Sequence, residues 1–118
     1  MFIDDDPINN LVNHKILNKY DSSLGIVEHL SAESALRSLS NASAPPPDVI
    51  LLDINMPEMN GWEFLVEYRR LGLRTKLFML TSSIAQEDID RAKQQPEVVE
   101  FITKPLDKEK LEIIFRQL

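Results

Sequence analysis

The sequence predicts an α/β protein built on a parallel sheet with helices on both faces, and three observations carry that prediction. Short apolar runs alternate with segments of helical period along the whole chain. Two of the runs, Val49–Leu52 and Lys76–Thr81, are apolar at consecutive positions, the pattern of strands covered on both faces. Several runs stop at a residue with chemistry in it: Asp4 and Asp5, Asp53, Thr81 and Lys104. Five strands each followed by a helix give right-handed crossovers and a single doubly wound (βα)5 domain over residues 1–118.

The elements follow in order. Met1, Phe2 and Ile3 form a short strand that opens almost at residue 1, so one or more of its residues are expected upstream. After Asp4-Asp5-Asp6, Pro7 suits the first helical position and Asp6 the N-cap, leaving Asp4 and Asp5 as the free pair. Ile8, Leu11, Val12 and Ile16 then recur at helical spacing and predict the buried face of the first helix. Residues 24–29 read as a second strand, and Ser31 caps a helix holding Ala32, Ala35, Leu36 and Leu39. Residues 41–47 are a surface loop stiffened by three prolines.

The central strand Val49–Leu52 ends at Asp53 and a Pro-bearing loop that closes at Gly61. Trp62, Leu65, Val66 and Arg69 continue as a helix ended by Gly72. Lys76–Thr81 is the fourth strand, and the helix after it, around Gln86–Lys93, has a thin apolar face of Ala85, Ile89 and Ala92 that makes it the least firmly packed. Val98, Val99, Phe101 and Ile102 form the last strand, ending at Thr103-Lys104-Pro105. Asp107 caps a final helix whose Leu111, Ile114, Phe115 and Leu118 share a face.

Bulk properties narrow the function classes. A chain of 118 residues is one domain with a real core. The net charge of -6, without a Lys/Arg cluster, argues against direct nucleic-acid binding. There is no cysteine for a disulfide or thiolate site, no signal region, and no apolar run that spans a bilayer, so a cytoplasmic protein is expected. The three glycines, Gly25, Gly61 and Gly72, cannot form a nucleotide-binding glycine loop.

In a parallel sheet all strand ends of one sense share an edge, so Asp4, Asp5, Asp53, Thr81 and Lys104 are expected to meet there. Three carboxylates held together repel and raise one another's pKa unless a cation joins them. Oxygen ligands without His or Cys favour Mg²⁺ over zinc. Each residue alone has a plainer reading: turn acids, an ordinary strand end, a Lys-Pro turn. Their joint occurrence at one edge reverses those odds. His14 and His29 read as neither phosphodonors nor ligands, Trp62 and Tyr68 as packing residues, Met56 and Met59 as loop residues, and Glu97 and Glu100 as solvated.

Taken together, in order and over essentially the whole chain, Asp4-Asp5, Asp53, Met56-Pro57, Gly61, Thr81 and Lys104-Pro105 resemble the receiver domain of two-component response regulators. The resemblance implies the flavodoxin-like strand order 2-1-3-4-5. It implies that Asp53 accepts a phosphoryl group from a phosphohistidine on a sensor histidine kinase or a histidine phosphotransfer protein. Mg²⁺ (or Mn²⁺) would be held by Asp5, Asp53 and the backbone carbonyl of Asn55, with Asp4 acting through metal-bound water. Lys104 and Thr81 would contact the phosphoryl oxygens, and Thr81 and Phe101 would form the switch, Phe101 standing where many relatives have tyrosine. Asn55 and Ser83 resemble positions that tune hydrolysis in the family.

The expected role is thus a phosphoacceptor switch with at most slow self-phosphorylation and autodephosphorylation. Its downstream protein target is unnamed, homodimerisation through the last helices on phosphorylation is an option, and no output domain follows Leu118 in this sequence. Both a stand-alone regulator and a piece of a longer one fit. Two other classes compete. A Mg²⁺-dependent phosphohydrolase of the haloacid dehalogenase type also starts from a strand-end Asp but typically needs a second Asp two residues on, where this chain has Asn55. A receiver-like binding module that works without phosphorylation would keep the fold and not the chemistry.

Overall fold

The computed structural model describes residues 1–82 and 85–118, so Ser83 lies outside the described residues. The elements alternate as β1 (Phe2–Ile3), α1 (Pro7–Tyr20), β2 (Glu28–His29), α2 (Ala32–Leu39), β3 (Val49–Leu52), α3 (Gly61–Leu71), β4 (Lys76–Thr81), α4 (Gln86–Lys93), β5 (Val98–Thr103) and α5 (Lys108–Arg116). All strand pairs are parallel and the sheet order is β2-β1-β3-β4-β5. The expected (βα)5 architecture and strand order are therefore present.

The apolar runs work because β1, β3, β4 and β5 each feed two cores at a period of two. Ile3, Ile50, Leu52, Leu77 and Met79 face one layer with Ala32 and Ala35 of α2, Phe64 and Leu65 of α3 and Ala92 of α4. Phe2, Leu51, Phe78, Leu80 and Ile102 face the other, with Leu17 of α1 and Leu111 and Ile114 of α5. A stacked Tyr20–Phe115 pair, 5.4 Å between centroids, joins α1 to α5. No helix among the described residues is long and apolar enough to cross a membrane.

Helix boundaries follow the expected chemistry. Asp6 accepts the N–H groups of Ile8 and Asn9, and Ser31 and Asp107 cap α2 and α5 in the same way. Asn60 and Glu63 form a reciprocal capping box on α3. Gly72 ends α3 at φ 66°, a left-handed conformation that costs an L side chain about 1–2 kcal/mol. The thin face of α4 reduces to one buried residue, Ala92, although the Arg91 guanidinium also lies 4.6 Å from the centre of the buried Trp62 ring.

Three expectations need correction. The second strand is only Glu28–His29, since residues 24–27 approach the sheet without meeting strand geometry. Glu97 is not simply solvated: it pairs with the Arg69 guanidinium, which also reaches Gln95. The largest departure is α1, which buries Asn10, Asn13 and Leu17 and leaves Ile8, Leu11 and Val12 at 72%, 53% and 46% exposure. The helix is turned by polar ties: Asn10 Nδ2 donates to the Asp4 carbonyl at 3.0 Å and Asn9 Nδ2 to the Asp4 carboxylate at 2.7 Å. A buried acid needs hydrogen-bond donors, and that demand outweighs apolar burial at the start of α1. Met56, read as a loop residue, is in the loop and also buried in the core.

Gly61 shows how closely α3 is set against the end of β3. Its N–H donates to the Ile54 carbonyl at 2.8 Å, and a Cβ there would lie 2.7 Å from the Asp53 carbonyl oxygen and 2.9 Å from Ile54 Cα. Backbone cannot step aside cheaply, so Gly61→Ala is expected to cost about 1–3 kcal/mol in urea unfolding. The rotation of α1 is checked in the same assay: Leu17→Ala should cost about 2–4 kcal/mol, whereas Leu11→Gln should change stability by less than about 0.5 kcal/mol.

Candidate functional site

Backbone ladder bonds just past the strands bring the singled-out residues to one rim. The Asp53 N–H donates to the Ile3 carbonyl at 2.9 Å, which sets Asp53 beside the start of the acid run, and the Asp4 N–H donates to the His29 carbonyl at 3.1 Å. On the other side, Thr81 pairs with Thr103, and the Lys104 N–H donates to the Thr81 carbonyl at 2.9 Å. Residues separated by up to 100 positions in sequence thereby become neighbours. Lys104 precedes a cis peptide bond to Pro105, and Lys110 Nζ of α5 donates to the carbonyls of Thr103 at 2.7 Å and Pro105 at 2.9 Å, holding that turn.

At the rim, Lys104 Nζ donates to Asp4 Oδ2 at 2.6 Å and to Asp53 Oδ2 at 3.4 Å. The fully buried Thr81 side chain lies beside the Asp53 carboxylate and favours its ionised form. Asp4 and Asp53 are buried and Asp5 is exposed. One oxygen from each of the three acids can be chosen so that all lie within 4.8 Å of one another. Asp4 is the most saturated of the three, since its Oδ1 accepts the Asp6 N–H at 3.0 Å while its Oδ2 takes both Asn9 and Lys104.

Burial pushes the Asp53 carboxyl above its usual range, partly opposed by the Lys104 ammonium and reinforced by the Asp4 charge. Burial also works against the Lys104 ammonium, but its hydrogen bond to Asp4 and the charges of Asp53 and Asp4 outweigh that and raise its pKa. The pair is thus an ionised lysine facing a carboxylate held in a poorly hydrated place. Such a carboxylate is short of charge-stabilising contacts, which favours a cation or an incoming electrophile.

The other expected site residues are placed as follows. Asn55 is exposed in the loop that leaves Asp53. Phe101 is half-buried on β5 beside Met79 and packs on the core layer shared with α2, α3 and α4. The histidines stay out of the site: His14 pairs with Glu28 at 2.9 Å, and His29 bonds Ser34 at 2.8 Å. Asn9, Asn10 and Lys110 were not singled out from sequence, yet they fix Asp4 and the Lys104 turn. The readable signal was two adjacent amides in the first turn of the helix that follows the acid run.

Comparison with known proteins agrees with this geometry. The family model for the response regulator receiver domain matches residues 1–116. A two-component response regulator of rice (Oryza sativa subsp. japonica) is 31% identical over 114 residues, covering 97% of this chain and 88% of that protein. A protein-glutamate methylesterase/protein-glutamine glutaminase of Treponema denticola is 40% identical over 78 residues, which are 64% of this chain but only 20% of that protein. The crystal structure of a response regulator receiver protein from Dyadobacter fermentans superposes with a TM-score of 0.87 at 30% identity, over 98% of this chain and 93% of that one. The chain belongs to the response regulator receiver domain family of two-component systems.

Proposed function

We propose that the chain is a phosphoacceptor switch in which Asp53 takes a phosphoryl group from a phosphohistidine of a sensor kinase or phosphotransfer protein in the cytoplasm. The observation that carries this reading is the Lys104 ammonium set between the buried Asp4 and Asp53 carboxylates, with the buried Thr81 side chain beside Asp53. An Asp53 oxygen attacks phosphorus, the P–N bond breaks, and its electron pair stays with the imidazole. Lys104 then offsets charge on the phosphoryl oxygens and Thr81 donates a hydrogen bond to them, because such transfers depend on positioning and charge stabilisation.

The donor set fits Mg²⁺ (or Mn²⁺): three carboxylates within reach of one point, oxygen only, with exposed Asp5 leaving room for retained water. Asp5, Asp53 and the Asn55 carbonyl would hold the ion. Asp4, with both oxygens already engaged, suits a contact through water. When bound, the ion supplies positive charge to the transferring phosphoryl oxygens.

Readout would pass through Thr81 to Phe101, whose ring lies in the same core layer as Ala92 of α4. Shifting a two-state element from 1:99 to 99:1 needs roughly 5.5 kcal/mol of differential interaction, which a few charge-assisted hydrogen bonds can supply. The exposed Ile8, Leu11 and Val12, at the start of α1 and close to Asp4, offer the phosphodonor protein an apolar footing beside the rim.

Incubation with Mg²⁺ and acetyl phosphate should yield one hydroxylamine-sensitive adduct per chain, absent in Asp53→Asn. Sustained multi-turnover phosphate release would instead identify the hydrolase, and no adduct the phosphorylation-independent binding module. A second expectation concerns stability. With its folded pKa raised, Asp53 binds more protons folded than unfolded just above the usual carboxylate range, so this group's contribution falls as pH rises through that window. In Mg²⁺-free buffer Asp53→Asn should therefore be more stable than the parent at pH 7, with the gain shrinking toward pH 4.

A further inference from the structure

A lysine serves as a fixed cation only if its root is held. The stem is long and flexible, yet Lys104 Nζ reaches Asp4 Oδ2 at 2.6 Å and Asp53 Oδ2 at 3.4 Å. Among the described residues β5 is the edge of the sheet, paired with β4 alone. On the β4 side the Lys104 N–H donates to the Thr81 carbonyl at 2.9 Å. In a trans peptide unit the carbonyl points the opposite way from the N–H. The Thr103 carbonyl therefore faces outward, where no strand of the sheet meets it.

Half-buried Lys110 of α5 meets it instead, donating from Nζ to the Thr103 carbonyl at 2.7 Å and to the Pro105 carbonyl at 2.9 Å. The peptide group from which Lys104 springs is thus gripped from both sides, by Thr81 in the sheet and by Lys110 on the helix. Helix physics does not ask for a cation here. Lys110 is the third residue of α5, and the partial positive charge at a helix N-terminus disfavours an ammonium. Nor does capping need it, because the Asp107 side chain already accepts the Lys110 backbone N–H at 2.9 Å. A side chain that opposes its own helix dipole and is committed to two carbonyls around Lys104 is a local conflict of the kind found where function constrains the chain.

We propose that Lys110 is a positioning residue for phosphoryl transfer. Given Asp53 as the phosphoacceptor, on which this role rests, Lys110 sets how far and in what direction the Lys104 ammonium reaches toward the phosphoryl oxygens. Its loss leaves Lys104, Asp4 and Asp53 all in place in the sequence but frees the segment from Thr103 to Pro105 to swing. A misplacement of about 1 Å at a group that stabilises charge is enough to slow such a transfer many-fold. Leu106, buried in the core directly after the turn, keeps the segment packed, so the loss is one of aim rather than of fold.

The test uses Lys110→Met, which keeps most of the aliphatic stem and removes the ammonium, in the parent and in a Lys104→Met background. Rates of acetyl phosphate adduct formation are taken at saturating Mg²⁺, at a temperature where circular dichroism shows every variant folded. Lys110→Met should slow the parent reaction at least about tenfold, with the Mg²⁺ concentration for half-maximal rate unchanged within about twofold, since no acid is touched. In the Lys104→Met background the same change should slow it by less than about twofold, because a residue that acts through Lys104 then has nothing to aim. In Mg²⁺-free buffer the Lys104 ammonium protons, followed by NMR, should exchange with water at least about tenfold faster in Lys110→Met than in the parent. Adduct formation at the parent rate in Lys110→Met would overturn the proposal, leaving Lys110 a staple of α5 alone. So would equal slowing in both backgrounds, which would mean that Lys110 acts without Lys104. No adduct in the parent would sink the phosphoacceptor reading and this role with it, an outcome distinct from equal rates in parent and variant.

Discussion

One ammonium shared by two buried carboxylates organises this molecule. Lys104 Nζ lies 2.6 Å from Asp4 and 3.4 Å from Asp53, and neither acid has free access to water. Removing solvent from charges is costly unless partners replace it. Much of the surrounding structure supplies such partners: Asn9, the Asp6 N–H and Lys104 for the Asp4 carboxylate, and Thr81 for Asp53. Lys110 in turn holds the strand exit from which Lys104 projects.

The demand reaches into the backbone. Asp53 stands at the end of a central strand because its N–H continues the ladder to Ile3, and Lys104 stands opposite because its N–H continues the ladder to Thr81. Gly61 lets α3 begin against the Asp53 carbonyl without a Cβ in the way. The carboxyl edge of the sheet is therefore polar and tightly cross-bonded.

Helix α1 shows how the polar requirement reshapes packing. Its apolar residues at helical spacing forecast a face that the structure turns outward, while Asn10 and Asn13 turn inward. Local pattern and tertiary need disagree here and agree nearly everywhere else, as α2 and α3 show with their capped starts and buried apolar stripes. Conflict of this kind is expected where function constrains the chain. It also leaves Ile8, Leu11 and Val12 on the surface close to the acids, where a partner can meet them.

The alternation of strands and helices, the caps at Asp6, Ser31 and Asp107, the bounds of β3, β4 and β5 and the candidate acids were determined by the sequence alone. These depend on short-range rules: period, capping chemistry, and runs too apolar to face water. Only the tertiary structure decided which side of α1 is buried, that Asp4 rather than Asp5 bonds Lys104, and that Glu97 is paired with Arg69. Each of those turns on a contact between segments distant along the chain. No local period encodes such a contact, because its energy exists only once desolvation and geometry have brought both partners together.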